Sequence, residues 1–384
     1  MSFTATRIAS VLLVLGLGVP AAAQPETDPV YDGRKSSEWV NVLQNDPSAR
    51  KRSLAVIALG NAWSQHQYKD GLRNVGRALR ADTSAAVRSQ AAMTVAGFKP
   101  DAVREIETEL SKALETEKDP RVRKELTVAL GRFPDVAKKA VGPLTGALKD
   151  VDATTRAAAA EALAKAGAEA KPATPELIRL LDDSDRAARQ AVVFALGRID
   201  PDNPSFVAAA LIKRYGEEKE AEIRREVLVS LKLLGDKSEM VVTAFATALA
   251  DPDDETRTVA VRTLGTFGTE ARPAADALLK LATGSKDKNI RVDAVRAFGS
   301  ALGPGLKGRL KDILPLAESD PDFEVRLAVV EEIAALGNAI KDDKETLATL
   351  RKRQSDPQVK VREAAAVAIR RIERKPEKPP EKKP

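Results

Sequence analysis

Residues 320–337 read DPDFEVRLAVVEEIAALG: an Asp-Pro, an Arg, a helical apolar stretch, then Gly. The same order returns as DPSARKRSLAVIALG at 46–60, DPRVRKELTVALG at 119–131, DSDRAARQAVVFALG at 183–197 and DPDDETRTVAVRTLG at 251–265. Aligned, the Arg residues form a column: Arg52, Arg88, Arg123, Arg156, Arg189, Arg224, Arg257, Arg291, Arg326 and Arg362, spaced 33 to 36 residues apart. A fixed period of this length is the signature of a repeat array, in which each unit packs only on its neighbours.

Each unit reads as two helices. The second begins at the Asp, with Asp320, Asp251 and Asp119 as N-caps and the following Pro as the first helical residue, where its missing N–H is not needed. Apolar residues three, four and seven positions after the Arg, such as Val192, Val193 and Leu196, make a helical stripe. Gly closes the helix eight residues after the Arg (Gly60, Gly131, Gly197, Gly265, Gly299) or eleven after it (Gly167, Gly235, Gly337). A left-handed C-cap glycine is the expectation at both positions. The first helix is shorter and starts near Pro143, Pro175 or Pro273. The tetratricopeptide Trp/Tyr positions and the ankyrin Thr-Pro-Leu-His are both absent.

The D-P-x-x-V-R-x-x-A-x-x-x-L-G unit resembles the short bacterial HEAT-like repeat, the type also found in phycobilisome lyases. The resemblance covers about residues 35–373. It implies an all-α fold, a right-handed α-α superhelix of about ten HEAT-like helix pairs, with the second helices lining the concave wall. Asp32-GRKSSEWVNVL resembles the opening of exported HEAT-like proteins, with a cap helix near 36–44 in which Ser37 caps and Trp39 covers the first repeat.

The ends read differently. Arg7, the apolar run IASVLLVLGLGV and Ala21-x-Ala23 fit a secretory signal over residues 1–23, cut after Ala23. Residues 24–34 then form a linker, and the Pro/Lys-rich stretch 374–384 a disordered tail. The expected location is periplasmic or secreted, with no membrane span after cleavage. The net charge of +6 is mostly terminal: residues 374–384 carry +3 and Arg7 adds +1, leaving +2 for the 350 residues between. A nearly neutral body argues against a nucleic-acid partner, which calls for a basic stripe.

Chemistry-bearing motifs are scarce. There is no cysteine and a single histidine, His66. Deoxyhypusine hydroxylase, also a HEAT-like array, binds di-iron through His-Glu pairs, but His66 is followed by Gln67. No G-x-S-x-G, H-E-x-x-H or phosphate-binding loop occurs. The sequence therefore predicts no cofactor, no metal and no catalysis.

Two columns remain. Arg123, Arg156, Arg189, Arg257, Arg291 and Arg326, with Asp119, Asp251 and Asp320, read as a structural ladder between units. Five residues after each Arg, where the common unit carries a polar residue, stand Ile57, Met93, Val128, Glu161, Phe194, Val229, Arg262, Arg296, Glu331 and Val367, and the departures Ile57, Met93, Val128, Phe194, Val229, Arg262 and Arg296 are singled out. These seven are the candidate binding residues, for a protein or peptide held in the concave groove. The reading is an exported non-catalytic scaffold. The alternatives are an enzyme or accessory subunit of the lyase-related type, and an envelope spacer.

Overall fold

The computed structural model describes residues 28–199 and 202–373. The proposed signal segment and the 374–384 tail lie outside the described residues. The chain is an all-α superhelical solenoid. It opens with a two-stranded antiparallel hairpin, β1 Val30–Tyr31 and β2 Arg34–Lys35, turned by Asp32 and Gly33 at positive φ.

Ten helix pairs follow. The first helices are α1 Ser36–Asn45, α3 Lys69–Ala81, α5 Glu107–Thr116, α7 Val141–Ala147, α9 Thr174–Arg179, α11 Pro204–Glu217, α13 Glu239–Ala248, α15 Ala275–Gly284, α17 Leu310–Ser319 and α19 Lys344–Arg353. The second helices are α2 Ala49–His66, α4 Ala85–Ala96, α6 Pro120–Gly131, α8 Ala153–Ala166, α10 Arg186–Leu196, α12 Ala221–Leu234, α14 Asp254–Phe267, α16 Lys288–Leu302, α18 Phe323–Leu336 and α20 Val359–Glu373. Short helices at Pro100–Glu105 and Pro134–Lys139 and several 3₁₀ stretches fill the connections.

The stripe residues Val192, Val193, Leu196, Ala260, Val261 and Leu264 are all fully buried, in one core that runs the length of the array. No unit could bury this face alone, so stacking supplies the hydrophobic driving force. Each second helix packs on the next more closely than the first helices do on one another.

Three details differ from the sequence reading. First, Asp320 and Asp251 are not N-caps. The caps are Asp322 and Asp253, and Pro321 and Pro252 lie in the turn ahead of the helix. Only Asp119-Pro120 keeps the expected arrangement, Asp119 accepting the N–H groups of Arg121 and Val122. Second, Ser37 does not cap α1. Asp28, nine residues upstream, accepts both the Ser37 N–H and its hydroxyl, at 2.9 and 2.6 Å. Trp39 is buried and donates its indole N–H to the Tyr31 carbonyl at 2.8 Å, which fastens the hairpin over the first pair.

Third, the two glycine positions have different jobs. Glycines at eleven, Gly167, Gly235 and Gly337, have positive φ and end their helices. Gly197, at eight, has φ −77° and needs no such freedom. A Cβ there would lie 2.6 Å from Ser230 Cβ and 2.7 Å from Ser230 Cα, so its role is to let α10 and α12 cross closely. Gly197→Ala should therefore destabilise by about 1–3 kcal/mol, the usual cost of overpacking. Chemical denaturation checks this, and Ser230→Gly in the same chain should recover only part of the loss, because the Ser230 backbone also blocks the added methyl.

Candidate functional site

The Arg column forms a ladder whose chemistry repeats from unit to unit, Arg257 and the last member Arg362 excepted. Nη1 of each Arg donates to carbonyls of its own pre-helix turn. Arg156 reaches the Asp150 and Val151 carbonyls at 2.8 and 3.1 Å, and Arg362 reaches those of Asp356 and Pro357. Nε and Nη2 then grip an acid of the following unit in a bidentate pair, a geometry that suits the planar guanidinium. Arg156 meets Asp183 at 2.6 and 2.7 Å, and Arg326 meets Asp356 at 2.9 Å twice. Arg52–Asp82, Arg88–Glu117, Arg123–Asp150, Arg189–Glu218, Arg224–Asp251 and Arg291–Asp320 repeat the arrangement.

The acid has a second task. It accepts the N–H two residues ahead, as Asp183 does from Asp185 and Asp320 from Asp322. One carboxylate thus shapes its own turn and ties it to the previous unit. The hydrogen bond from Arg156, opposed by burial, holds the Asp183 carboxyl below the usual carboxylate range, and the same bond raises the Arg156 guanidinium.

Asp119 is not part of this ladder. Glu117, six residues before Arg123, takes the rung, and Asp119 stays a helix cap. Asp251 and Asp320 are rungs, as are Arg123, Arg156, Arg189, Arg291 and Arg326. Arg257 differs, because Ser285 stands where its acid should be. It pairs instead with the exposed Asp254 of its own helix.

The column five after Arg lies on the second helices, on the face expected to line the concave wall. Ile57, Met93 and Val128 are 37%, 47% and 39% exposed, and Leu54 adjoins them at 50%. Phe194 and Val229 are half-buried. The Arg198 guanidinium stacks 3.5 Å over the Phe194 ring and donates to Glu226 at 3.0 Å. A hollow of about 360 Å³ opens there between α8 and α10, lined by Glu161, Lys165 and Phe194.

Beyond this point the wall is ionic. Arg262 donates to Asp293 of the next unit at 2.7 Å, and Arg296 to Glu331 at 3.3 Å. The column is therefore mostly apolar over its first six units, with Glu161 between Val128 and Phe194, then ionic at Arg262, Arg296 and Glu331, and it closes on the half-buried Val367. Leu54 lies three residues before Ile57 on the same helix face, and its place in the ridge follows from that spacing.

One half-buried acid does not belong to the ladder. Glu332 lies at the crossing of α16 and α18, against Gly299. Burial pushes its carboxyl up to about 7, with Arg296 opposing and Glu331 adding to the shift. A raised acid pKa reverses the usual sign. The unfolded Glu ionises near 4.5 and the folded one near 7, so stability falls as pH rises between these values and is level above them. Glu332→Gln should stabilise the protein by about 1–2 kcal/mol at pH 8, after allowance for partial exposure, and by nothing at pH 4. Denaturation at the two pH values checks it.

His66 is exposed at the end of α2. Among the described residues no group of three His, Asp or Glu side chains is placed to hold a metal ion, and no helix is long and apolar enough to cross a membrane.

Comparison with known proteins agrees with this architecture. The family described as HEAT repeats matches residues 72–164, 106–196, 143–232 and 208–299, overlapping windows that span more than half of the chain. A crystal structure of an engineered protein is similar over 88% of this chain and 98% of its own, with a TM-score of 0.57 and 20% identity. A second similar chain comes from the structure in which Kap95p binding induces the switch loops of RanGDP to adopt the GTP-bound conformation. It covers 88% of this chain at a TM-score of 0.53 and 14% identity, and this chain spans about half of its length. Among curated proteins, none matches.

Proposed function

The chain belongs to the HEAT-repeat family, and from that premise we propose that it is a non-catalytic, protein-binding scaffold whose partner lies along the inner wall. The observation that carries this reading is the apolar ridge of Leu54, Ile57, Met93 and Val128. These side chains keep 37–50% of their surface exposed on successive second helices, and exposed apolar surface of this kind marks partner sites. The core does not need them, since the stripe below them is already fully buried. Methionine adapts to an irregular apolar ligand, so the ridge suits an amphipathic helix or an extended peptide.

The partner class follows from the two halves of the wall. Its apolar side chains take the ridge, and its charged groups exchange with the Arg262–Asp293 and Arg296–Glu331 pairs. We place this activity outside the cytoplasm, on the strength of Arg7, the apolar run after it and Ala21-x-Ala23.

A photo-crosslinking residue at position 93, compared with one on the outer helix α5, tests the assignment in cells. Capture of one defined partner from position 93 is expected. Capture only from α5 would place the interface on the outer face and end this reading.

A further inference from the structure

Ser285 is the one place among the described rungs where the ladder lacks its acid. The serine keeps half of the acid's work: its hydroxyl accepts the Asp287 N–H at 3.2 Å, as Asp183 accepts that of Asp185. It cannot reach back to Arg257. The Arg257 Nη1 still holds the Asp251 and Pro252 carbonyls at 2.6 and 3.1 Å, so the guanidinium is fixed in the ladder geometry. Its other edge, which every earlier unit presents to a carboxylate, has only Asp254. That side chain is 71% exposed and lies three residues away on the same helix, a weak kind of pair. Nε of Arg257 has no acceptor among the described residues.

A cleft of about 590 Å³ opens at this point between the seventh and eighth units. Leu249, Ala277 and Leu281 give it an apolar side, and Lys280 and Lys286 add positive charge beside Arg257. Asp254 and Asp287 also line it, and Asp287 is engaged as the N-cap of α16. The equivalent cleft at Arg123 is of similar size but contains its own acid, Asp150. The array thus carries its own control: one geometry with the carboxylate built in, and one without.

We propose that the Arg257 cleft is a binding site for a carboxylate on a short aliphatic stem, which occupies the place of the missing rung acid. A glutamate side chain of a bound protein and a small aliphatic acid share this chemistry. The incoming carboxylate displaces Asp254 and meets Nε and Nη2 side by side, while its stem lies on Leu249 and Leu281.

The test follows the Arg257 Nε–H signal by NMR during titration with hexanoate, with N-acetylglutamate amide and with neutral hexanamide. A saturable shift at low-millimolar concentration is expected with a carboxylate and none with hexanamide. Response to the glutamate derivative alone assigns the site to a partner's side chain, response to hexanoate alone to a small molecule, and response to both supports the shared chemistry. Ser285→Asp restores the internal acid, so it should abolish the response and raise the melting temperature. No response to either carboxylate, an equal response to hexanamide, or an undiminished response in Ser285→Asp overturns the proposal.

Discussion

Arg156→Ala is expected to destabilise the array by about 3 kcal/mol, the lower end of the cost of removing one partner from a buried ion pair. The acid left behind explains the size. Asp183 is only 3% exposed at its side chain and would keep its charge without its hydrogen-bonded partner, with only the more distant Arg189 as counter-charge. The Asp150 and Val151 carbonyls lose their donor as well. Arg156→Lys should fall between the two, because an ammonium keeps the charge but cannot bridge both carboxylate oxygens and a carbonyl at once. Arg257→Ala is the contrast. It abandons two carbonyls and one exposed carboxylate, so its cost should stay near 1 kcal/mol. Long arrays need not unfold in one step, and the readout is therefore hydrogen exchange of α8 and α10 beside global denaturation. Equal losses in Arg156→Ala and Arg257→Ala would show that the inter-unit pair is not what the ladder contributes.

The second large effect concerns binding, at a smaller cost in stability. Ile57→Asp with Met93→Asp should lower stability by about 1–2 kcal/mol, since each side chain is more than half covered, but leave the protein folded, since both positions lie away from caps and rungs. Partner affinity should fall by about 100-fold or more. Burying the exposed part of one such side chain is worth about 1 kcal/mol, an Asp in its place adds the cost of desolvating a charge, and every 1.4 kcal/mol is a factor of ten. The partner captured at position 93 is the ligand for the titration. Unchanged affinity in the folded variant would remove the ridge from the interface. A loss of stability well beyond this would mean that these side chains mainly support the fold.

The repeat, its two helices and its apolar stripe were legible because they are periodic, and periodicity survives substitution. The Arg column was legible for the same reason. Its acid partners were harder to see, because residue type varies there: Glu117 and Glu218 replace Asp, and a nearby Asp-Pro draws the eye to Asp119. Counting six residues back from each Arg would have found the true column, and with it the vacancy at Ser285. The glycines misled in another way. A glycine after a helical stripe reads as a terminator, yet Gly197 is required by Ser230 on a different unit, a contact no local pattern records. The Asp28 cap is invisible for a similar reason, since it acts across the β1–β2 turn.

The change from apolar to ionic along the inner wall gives the molecule a direction. A surface uniform along its length could accept a ligand either way round, or in several sliding registers. Here a reversed ligand would press charges against Ile57 and Met93 and set apolar groups over Arg262 and Arg296. On the binding proposed above, the wall would act as a polarised track, in which the end of the ligand that comes first fixes one stopping place.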